Sequence, residues 1–233
     1  MDPMINLAWG AGLFVGSHFL LSHPLRAPLA GRIGERGFQI AYSAVALATF
    51  LLMVRAYQAV PVQAPLWPVG DLLWAVASII VLLASILFVG SLIGNPAMAM
   101  PGATKAATAP ARGVFAITRH PMMWGFALWA VAHVMVVPTP AQALLCAALI
   151  VLALGGSRAQ DGKKAKRMGP AWQDWAARTA FVPFAGQVSG RLSWAAAMPR
   201  PHALFGGIVV WLVASWAHGA MGYMAAGLWR WLG

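Results

Sequence analysis

Long apolar stretches dominate this sequence, and six of them approach the length of a membrane-spanning helix. A helix that crosses a hydrocarbon core of about 30 Å needs about 20 mostly apolar residues. The six predicted spans are residues 4–21, 37–54, 71–93, 113–137, 141–155 and 205–229. The segments between them are too short for a soluble domain. We therefore predict an all-α fold: a polytopic integral membrane bundle of about six transmembrane helices, forming a single domain over residues 1–233.

The composition also supports an integral membrane protein. Hydrophobic residues make up 61% of the chain and charged residues only 9%, whereas soluble domains average roughly 25% charged residues. This balance excludes disorder, a coiled coil, collagen and a soluble nucleic-acid-binding module. The single cysteine, Cys146, excludes an intramolecular disulfide and a multi-cysteine metal site. It lies in an apolar run and is predicted to be a small buried side chain.

The net charge of +11 reflects topology rather than a nucleic-acid partner. The five successive loops between the predicted spans carry 3, 0, 3, 0 and 8 basic residues, so 14 of the 16 fall on one side. Basic loops are retained on the cytoplasmic side of a membrane. The pattern therefore predicts that both termini lie outside and that the lipid bilayer is the main partner of the chain.

Two further segments are assigned from their composition. Residues 1–4 contain no basic region, and no small-residue cleavage site follows the first apolar run, so we expect an uncleaved first span rather than a secretory signal. Residues 96–110 are rich in Pro and Ala and predict a loop.

Ionisable side chains at membrane depth are the candidates for chemistry, because placing them there is costly. They are histidines within the spans and arginines near the predicted cytoplasmic boundary: His18, His120, His133, His218, Arg119 and Arg26. The span interiors contain no carboxylate, which argues against paired acid–base carboxylates and against a Ser-His-Asp triad. Neutral imidazole binds iron well, and heme needs one or two axial histidines beside an apolar slot. The pattern therefore favours a heme site.

Three histidines have simpler interpretations. His218 fits a hydrogen bond to a neighbouring helix. His23 and His202 lie at or beyond helix ends in basic loops and are predicted to be solvated.

The cluster Arg119-His120-Pro121 interrupts the fourth predicted span. Pro121 removes a backbone donor and starts or kinks a helix there, which exposes carbonyl groups. An arginine beside such a break can pair with an anionic group, such as a carboxylate or a heme propionate.

Three segments of the sequence resemble the NnrU family of bacterial membrane proteins. They are residues 16–43, residues 113–133 (GVFAITRHPMMWGFALWAVAH) and residues 161–184 (DGKKAKRMGPAWQDWAARTAFVPF), which together span most of the chain in the family's order. The family is associated with nitrite and nitric oxide metabolism in denitrifying bacteria. The resemblance implies a bacterial inner membrane location and a respiratory or denitrification partner.

The NnrU family also includes a zeta-carotene isomerase that uses heme b, which implies a heme site and an apolar small-molecule substrate. The positions of its iron ligands match His18 and His133 here. Ala130 stands where that isomerase has a cysteine, so a ligand switch at this cysteine is not available to this chain. The resemblance implies a heme b between the first and fourth spans.

Helix geometry leaves the second iron ligand open. At 1.5 Å per residue, His18 lies about 21 Å below the outer end of the first span. By the same rise, His133 lies about 8 Å and His120 about 27 Å below the turn at Pro138. Two axial ligands of one iron need similar depths, so straight helices favour His120, whereas the resemblance favours His133. Both remain candidates.

Other side chains complete the proposed heme pocket. Arg119 and Arg26 would neutralise the propionates near the cytoplasmic boundary, and Trp124 and Trp129 would wall the pocket. No catalytic residue is assigned. If the protein is an enzyme, the resemblance implies redox-controlled isomerisation of an apolar polyene. If it is not, the chain is a heme-bearing or accessory partner in nitrogen-oxide respiration.

A second resemblance supplies a rival function. Isoprenylcysteine and phospholipid methyltransferases share a Gly, Arg-His-Pro, Gly pattern and a later aromatic motif, matched here by Gly113, Arg119, His120, Pro121, Gly125, Gly169, Trp172, Trp175, Pro183 and Phe184. In those enzymes the Arg-His pair helps to bind S-adenosylmethionine. Their later motif carries glutamates, whereas this sequence offers only Asp161 among basic residues.

Overall fold

Each predicted span contains a helix in the computed structural model, which describes residues 2–98 and 102–232. Within those residues, five helical segments are long and apolar enough to cross a membrane: Pro3–Ser22, Arg26–Gln58, Asp71–Gly90, Pro140–Met168 and Pro201–Ala220. A sixth apolar helix, Pro121–Val136, has 16 residues. The protein is therefore an all-α integral membrane protein, as the apolar stretches predict.

The helices are numbered in chain order. They are α1 (Pro3–Ser22), α2 (Arg26–Gln58), α3 (Asp71–Gly90), α4 (Ala103–Thr108), α5 (Val114–Ile117), α6 (Pro121–Val136), α7 (Pro140–Ile150), α8 (Gly156–Met168), α9 (Pro170–Arg178), α10 (Ala185–Val188), α11 (Pro201–Ala220) and α12 (Trp229–Leu232). A π-helical turn, Val151–Gly155, joins α7 to α8, and a 3₁₀ turn, Ala195–Ala197, precedes α11.

The described residues form two compact units. The first contains residues 2–69 and 133–152, and the second contains residues 70–98, 102–132 and 153–232. The chain passes from one unit to the other directly before α3, inside α6 and at the π-helical turn.

In the first unit, α1 packs against α2 and α7. The shared core includes Leu7, Phe14, Met53 and Ala148. Gly10 allows the close approach of α1 to α2, because a Cβ atom at this position would lie 3.0 Å from the Cα of Met53. Cys146 is fully buried on α7, as predicted.

Helix α2 is longer than the span predicted at residues 37–54. It bends at Gly34, whose backbone (φ 74, ψ 165) lies in a region open almost only to glycine. The bend separates a polar first part from the apolar part that matches the predicted span. The apolar stretch of the sequence predicts the second part of α2 well, but it gives no signal for the polar first part.

In the second unit, α3 and α11 pack side by side at very short range. A Cβ atom on Gly207 would lie 2.7 Å from the Cα of Ile86, and one on Gly90 would lie 2.9 Å from the Cβ of Ala203. Without a hydrophobic driving force in lipid, small residues let helix backbones approach closely and gain dispersion contacts. Because Gly90 ends α3 and Ala203 lies near the start of α11, the two helices are antiparallel.

The prediction of a loop over residues 96–110 is wrong for part of that segment. Residues 103–108 form α4, which packs on α9, where Trp172 and Trp175 are buried against Ala107. Alanine is a strong helix former, and it outweighs the flanking prolines over this one stretch. Residues 99–101 of the predicted loop lie outside the described residues.

The fourth and fifth predicted spans also differ in outline. The fourth is split into α5 and α6 by extended residues around Thr118, just before Pro121. The fifth continues beyond Gly155 into α8, which is charged and therefore carries no apolar signal.

Candidate functional site

The break between α5 and α6 is closed by the segment at residues 180–184. The Thr118 hydroxyl donates to the carbonyl of Phe181 at 2.6 Å, and the Arg119 backbone N–H donates to the carbonyl of Ala180 at 2.8 Å. The Trp124 indole N–H donates to the same Phe181 carbonyl at 2.8 Å. Irregular backbone persists in a membrane protein where neighbouring groups satisfy its polar atoms, as they do here.

Asp161 of α8 binds both polar side chains of this break. The Arg119 guanidinium donates to the Asp161 carboxylate through Nε and Nη2, the latter at 2.6 Å. His120 Nε2 lies 2.7 Å from Asp161 Oδ1. The side chains are 12% (Arg119), 1% (His120) and 17% (Asp161) exposed, so the cluster is shielded from solvent. Such bidentate, charge-assisted bonds fix geometry strongly.

The ring of His120 is enclosed by aromatic side chains. Its centroid lies 5.6 Å from that of Phe181 and 6.2 Å from that of Trp172. His120 Nδ1 is buried and has no hydrogen-bond partner among the described residues. When Nε2 carries the proton toward Asp161, Nδ1 holds a free lone pair. A carboxylate that orients the far nitrogen is the usual support for a metal-ligating histidine.

His18 lies near the end of α1 in the first unit. Its Nδ1 donates to the backbone carbonyl of Phe14, one turn earlier, at 2.7 Å. This bond fixes the tautomer and leaves Nε2 as the acceptor. No hydrogen bond to His18 Nε2 is formed within the described part of the chain. The ring is half-buried between Phe14 (4.6 Å) and Tyr42 (5.6 Å).

Ring contacts connect His18 to Arg26 along α2. Tyr42 lies 6.0 Å from Phe38, and the guanidinium of Arg26 lies 5.4 Å from the Phe38 ring. Arg26 also forms an ion pair with Glu35 at 2.9 Å. His18 and Arg26, predicted separately from the sequence, therefore belong to one row of contacting side chains.

The first unit places His18 and His133 at different levels along α1. The amide of Gln63 bonds both Met4 Sδ (3.4 Å) and the backbone N–H of Ala141 (2.9 Å), so the starts of α1 and α7 are level. His133 lies on the last turn of α6, directly before the short turn that leads into α7. His18 lies 14 residues beyond Met4, about 21 Å along the helix axis.

The predicted site residues thus fall into two sets. His18 and Arg26 belong to the first unit, with His133 in its second stretch. Arg119, His120, Trp124 and Trp129 belong to the second unit, where the first three meet at residues 180–184. Trp129 lies further along α6 and is 37% exposed.

Sequence reasoning missed Asp161, Tyr42 and Phe181. Asp161 is the one acidic residue in a strongly basic stretch, and that charge pattern was a usable signal for a structural partner of Arg119. Tyr42 and Phe181 reach their histidines only through the packing of separate helices and loops, which no local pattern reveals.

The remaining histidines, His23, His202 and His218, differ in their exposure and in their partners. His202 is exposed, as predicted. The prediction of a solvated His23 is wrong, because this residue caps α1, its Nδ1 lies 3.2 Å from the Phe19 carbonyl, and its Nε2 is buried. His218 Nδ1 donates to the carbonyl of Ala214 on its own helix at 2.8 Å.

Comparison with known proteins gives one curated relative and one family. The sequence is 35% identical over 79 residues to a 15-cis-zeta-carotene isomerase, chloroplastic, from Arabidopsis thaliana. The aligned part covers 34% of this chain and about a fifth (22%) of the isomerase. No solved structure matches the chain. The model of the NnrU protein family matches residues 6–226, across both units and nearly the whole sequence. The chain therefore belongs to the NnrU family.

Proposed function

We propose that this NnrU-family membrane protein binds heme b through His18 and acts as a redox-controlled isomerase of an apolar polyene in a bacterial inner membrane. The observation that carries the proposal is the hydrogen bond from His18 Nδ1 to the Phe14 carbonyl, which presents Nε2 as a lone-pair donor. The likeness to a 15-cis-zeta-carotene isomerase supports the substrate class.

The residues around His18 fit a heme. Axial histidines are held by a hydrogen bond from the far ring nitrogen to a carbonyl or carboxylate, as His18 is. Phe14 and Tyr42 contact the imidazole ring edge-on, so His18 lies among aromatic surfaces. When bound, a heme b would supply an iron centre that changes oxidation state and accepts axial ligands.

Arg26 is the better placed of the two predicted propionate partners. Its bond to Glu35 joins partly exposed groups (29% and 57%), and an exposed ion pair contributes about 0–1 kcal/mol. Exchanging Glu35 for a propionate therefore costs little. Arg119, in contrast, already binds the shielded carboxylate of Asp161 through two of its nitrogens.

A second protein ligand of the heme iron would come from His133 or His120. The end of α6, which carries His133, lies near the level of Met4. His18 lies about 21 Å from that level along α1. His120 has the carboxylate support of a metal ligand but offers Nδ1, since Nε2 faces Asp161. Exchange of each histidine for alanine separates the two, because only the true ligand changes the spin state of bound heme.

An absorption spectrum of the detergent-purified protein tests the proposal. We expect a Soret band, a shift on reduction with dithionite, and about one heme b per chain by pyridine hemochrome. The reduced protein should then convert a 15-cis polyene, followed by chromatography of the isomers.

Three other outcomes would each lead to a different conclusion. Heme without polyene conversion would contradict the isomerase and leave a heme-bearing partner in nitrogen-oxide respiration. A colourless protein, even after expression with a heme precursor, would contradict the proposal. Binding of S-adenosylmethionine by such a preparation would point to methyl transfer at Arg119 and His120.

A further inference from the structure

A cleft in the second unit is lined by basic and apolar side chains, and none of its lining residues belongs to the proposed heme site. Its volume is about 150 Å³, a size at which cavities in other proteins bind a benzene-sized ligand. Its basic lining residues are Arg112, Arg200 and His202. None of the described residues that line it is acidic.

The floor of the cleft is fixed by tight backbone packing. A Cβ atom on Gly90 would lie 2.6 Å from Val114 Cγ1 and 2.9 Å from Ala203 Cβ, so three helices meet here with no spare room. The Gly113 N–H donates to the carbonyl of Ala196 at 2.7 Å, which ties the segment of Arg112 to the turn before α11. The basic residues therefore project from a rigid frame.

The basic side chains of the cleft are exposed and uncompensated. Arg112, Arg200 and His202 are all exposed, and none forms a side-chain hydrogen bond or an ion pair within the described residues. Arg119 and Arg178, also in this unit, are bound to a carboxylate and to backbone carbonyls. Two uncompensated cations beside an apolar wall suit an anionic group attached to an apolar body.

The position of the cleft indicates which class of anion it binds. It lies where α3 ends and α11 begins, that is, at one end of two membrane-spanning helices. The charge pattern predicts that this end faces the cytoplasm. Because the 20 residues of α3 are about as long as the hydrocarbon core is thick, the end of α3 is expected at the level of the lipid headgroups. Basic pockets between transmembrane helices at this level bind anionic lipid headgroups.

We propose that the cleft between the end of α3 and the start of α11 binds the phosphate of an anionic phospholipid, with Arg112 and Arg200 as its ligands and His202 at the rim. The acyl chains would then run along the exposed apolar face of α11, which includes Phe205 and Val209. This site is independent of heme.

Native mass spectrometry of the full-length protein tests the site. The protein, in a neutral detergent, is titrated with phosphatidylglycerol and, in parallel, with phosphatidylcholine and with inorganic phosphate. The variant R112Q/R200Q should bind phosphatidylglycerol about 30-fold more weakly, since each basic residue near an anionic lipid contributes a factor of about five. The matched control R36Q/R167Q removes the same charge at exposed positions outside the cleft and should bind as the unaltered protein does.

Three results would overturn the proposal: equal weakening in both double variants, equal affinity for phosphatidylcholine, or inorganic phosphate binding as tightly as the lipid. The last result would reassign the cleft to a free phosphate. If R112Q/R200Q does not fold, each single variant is measured, and each should weaken binding about fivefold.

Discussion

A single carboxylate, that of Asp161, binds both polar side chains at the break between α5 and α6. It accepts hydrogen bonds from Arg119 and lies against the imidazole of His120, and all three side chains are shielded from solvent. Removing one member of such a cluster leaves the others buried without compensation, which costs more than the net contribution of the pair. The cluster therefore acts as a structural clamp between α8 and the start of α6.

Asp161→Asn should destabilise the protein by about 3 kcal/mol, because the neutral amide leaves Arg119 with an uncompensated charge. This loss corresponds to a fall of about 6–12 °C in Tm for a chain of this size. Thermal unfolding followed by tryptophan fluorescence measures it. Asp174→Asn, on the exposed side of α9, is the matched control and should leave Tm unchanged. Equal effects of the two changes would mean that the clamp contributes nothing specific.

Among the helices, α3 and α11 show how composition sets packing distance. Gly207 and Gly90 lie at the contact, and the neighbouring helix leaves no space for a methyl group at either position. Gly219, on the same helix as Gly207, has no neighbouring atom within 4 Å of the place of a Cβ. Gly207 and Gly219 therefore have opposite roles in stability.

Gly207→Ala should lower the free energy of unfolding by about 1–3 kcal/mol, because the added methyl group would lie 2.7 Å from the Ile86 backbone and force the helices apart. Gly219→Ala should raise it by about 0.5–1 kcal/mol, since alanine in open space favours the helix. Thermal unfolding of the two variants side by side gives the comparison. A stabilised Gly207→Ala would contradict the close packing of α3 on α11.

The helices also show what the sequence alone could predict. Apolar length located the five helical segments that are long enough to cross a membrane. Pro121 correctly marked a break in the fourth predicted span, whose apolar helix α6 has 16 residues, and the sixth predicted span runs nine residues past the end of α11. The polar start of α2 and the charged α8 could not be predicted, since neither carries an apolar signal. The bend at Gly34 could not be predicted either, because it depends on one backbone conformation. His18, Arg26, Arg119 and His120 could be singled out as costly residues in lipid. Their partner Tyr42 could not, because that contact joins two different helices, whereas Asp161 left one signal, its isolated negative charge in a basic stretch.

For the whole molecule, the charge distribution predicts the orientation in the membrane. The loop before α3 contains no basic residue, whereas the segment from α8 to α11 contains eight. Basic loops stay in the cytoplasm, so the first loop should face outward and the second inward.

Labelling of single cysteines in intact cells tests this orientation. Cys146 is first replaced by alanine, and a cysteine is then placed at Ala64 or at Gln173, both of which are exposed. A membrane-impermeant maleimide should label Ala64→Cys in intact cells and Gln173→Cys only after lysis. The reverse pattern would contradict the predicted topology.

The heme content of three purified proteins tests the central claim most directly: the unaltered chain, His18→Ala and His202→Ala. His202 is exposed and lies outside the proposed heme site, so its change should leave about one heme b per chain. The claim predicts that His18→Ala loses the heme while its circular dichroism and its elution volume stay unchanged. Undiminished heme in a folded His18→Ala protein would contradict it.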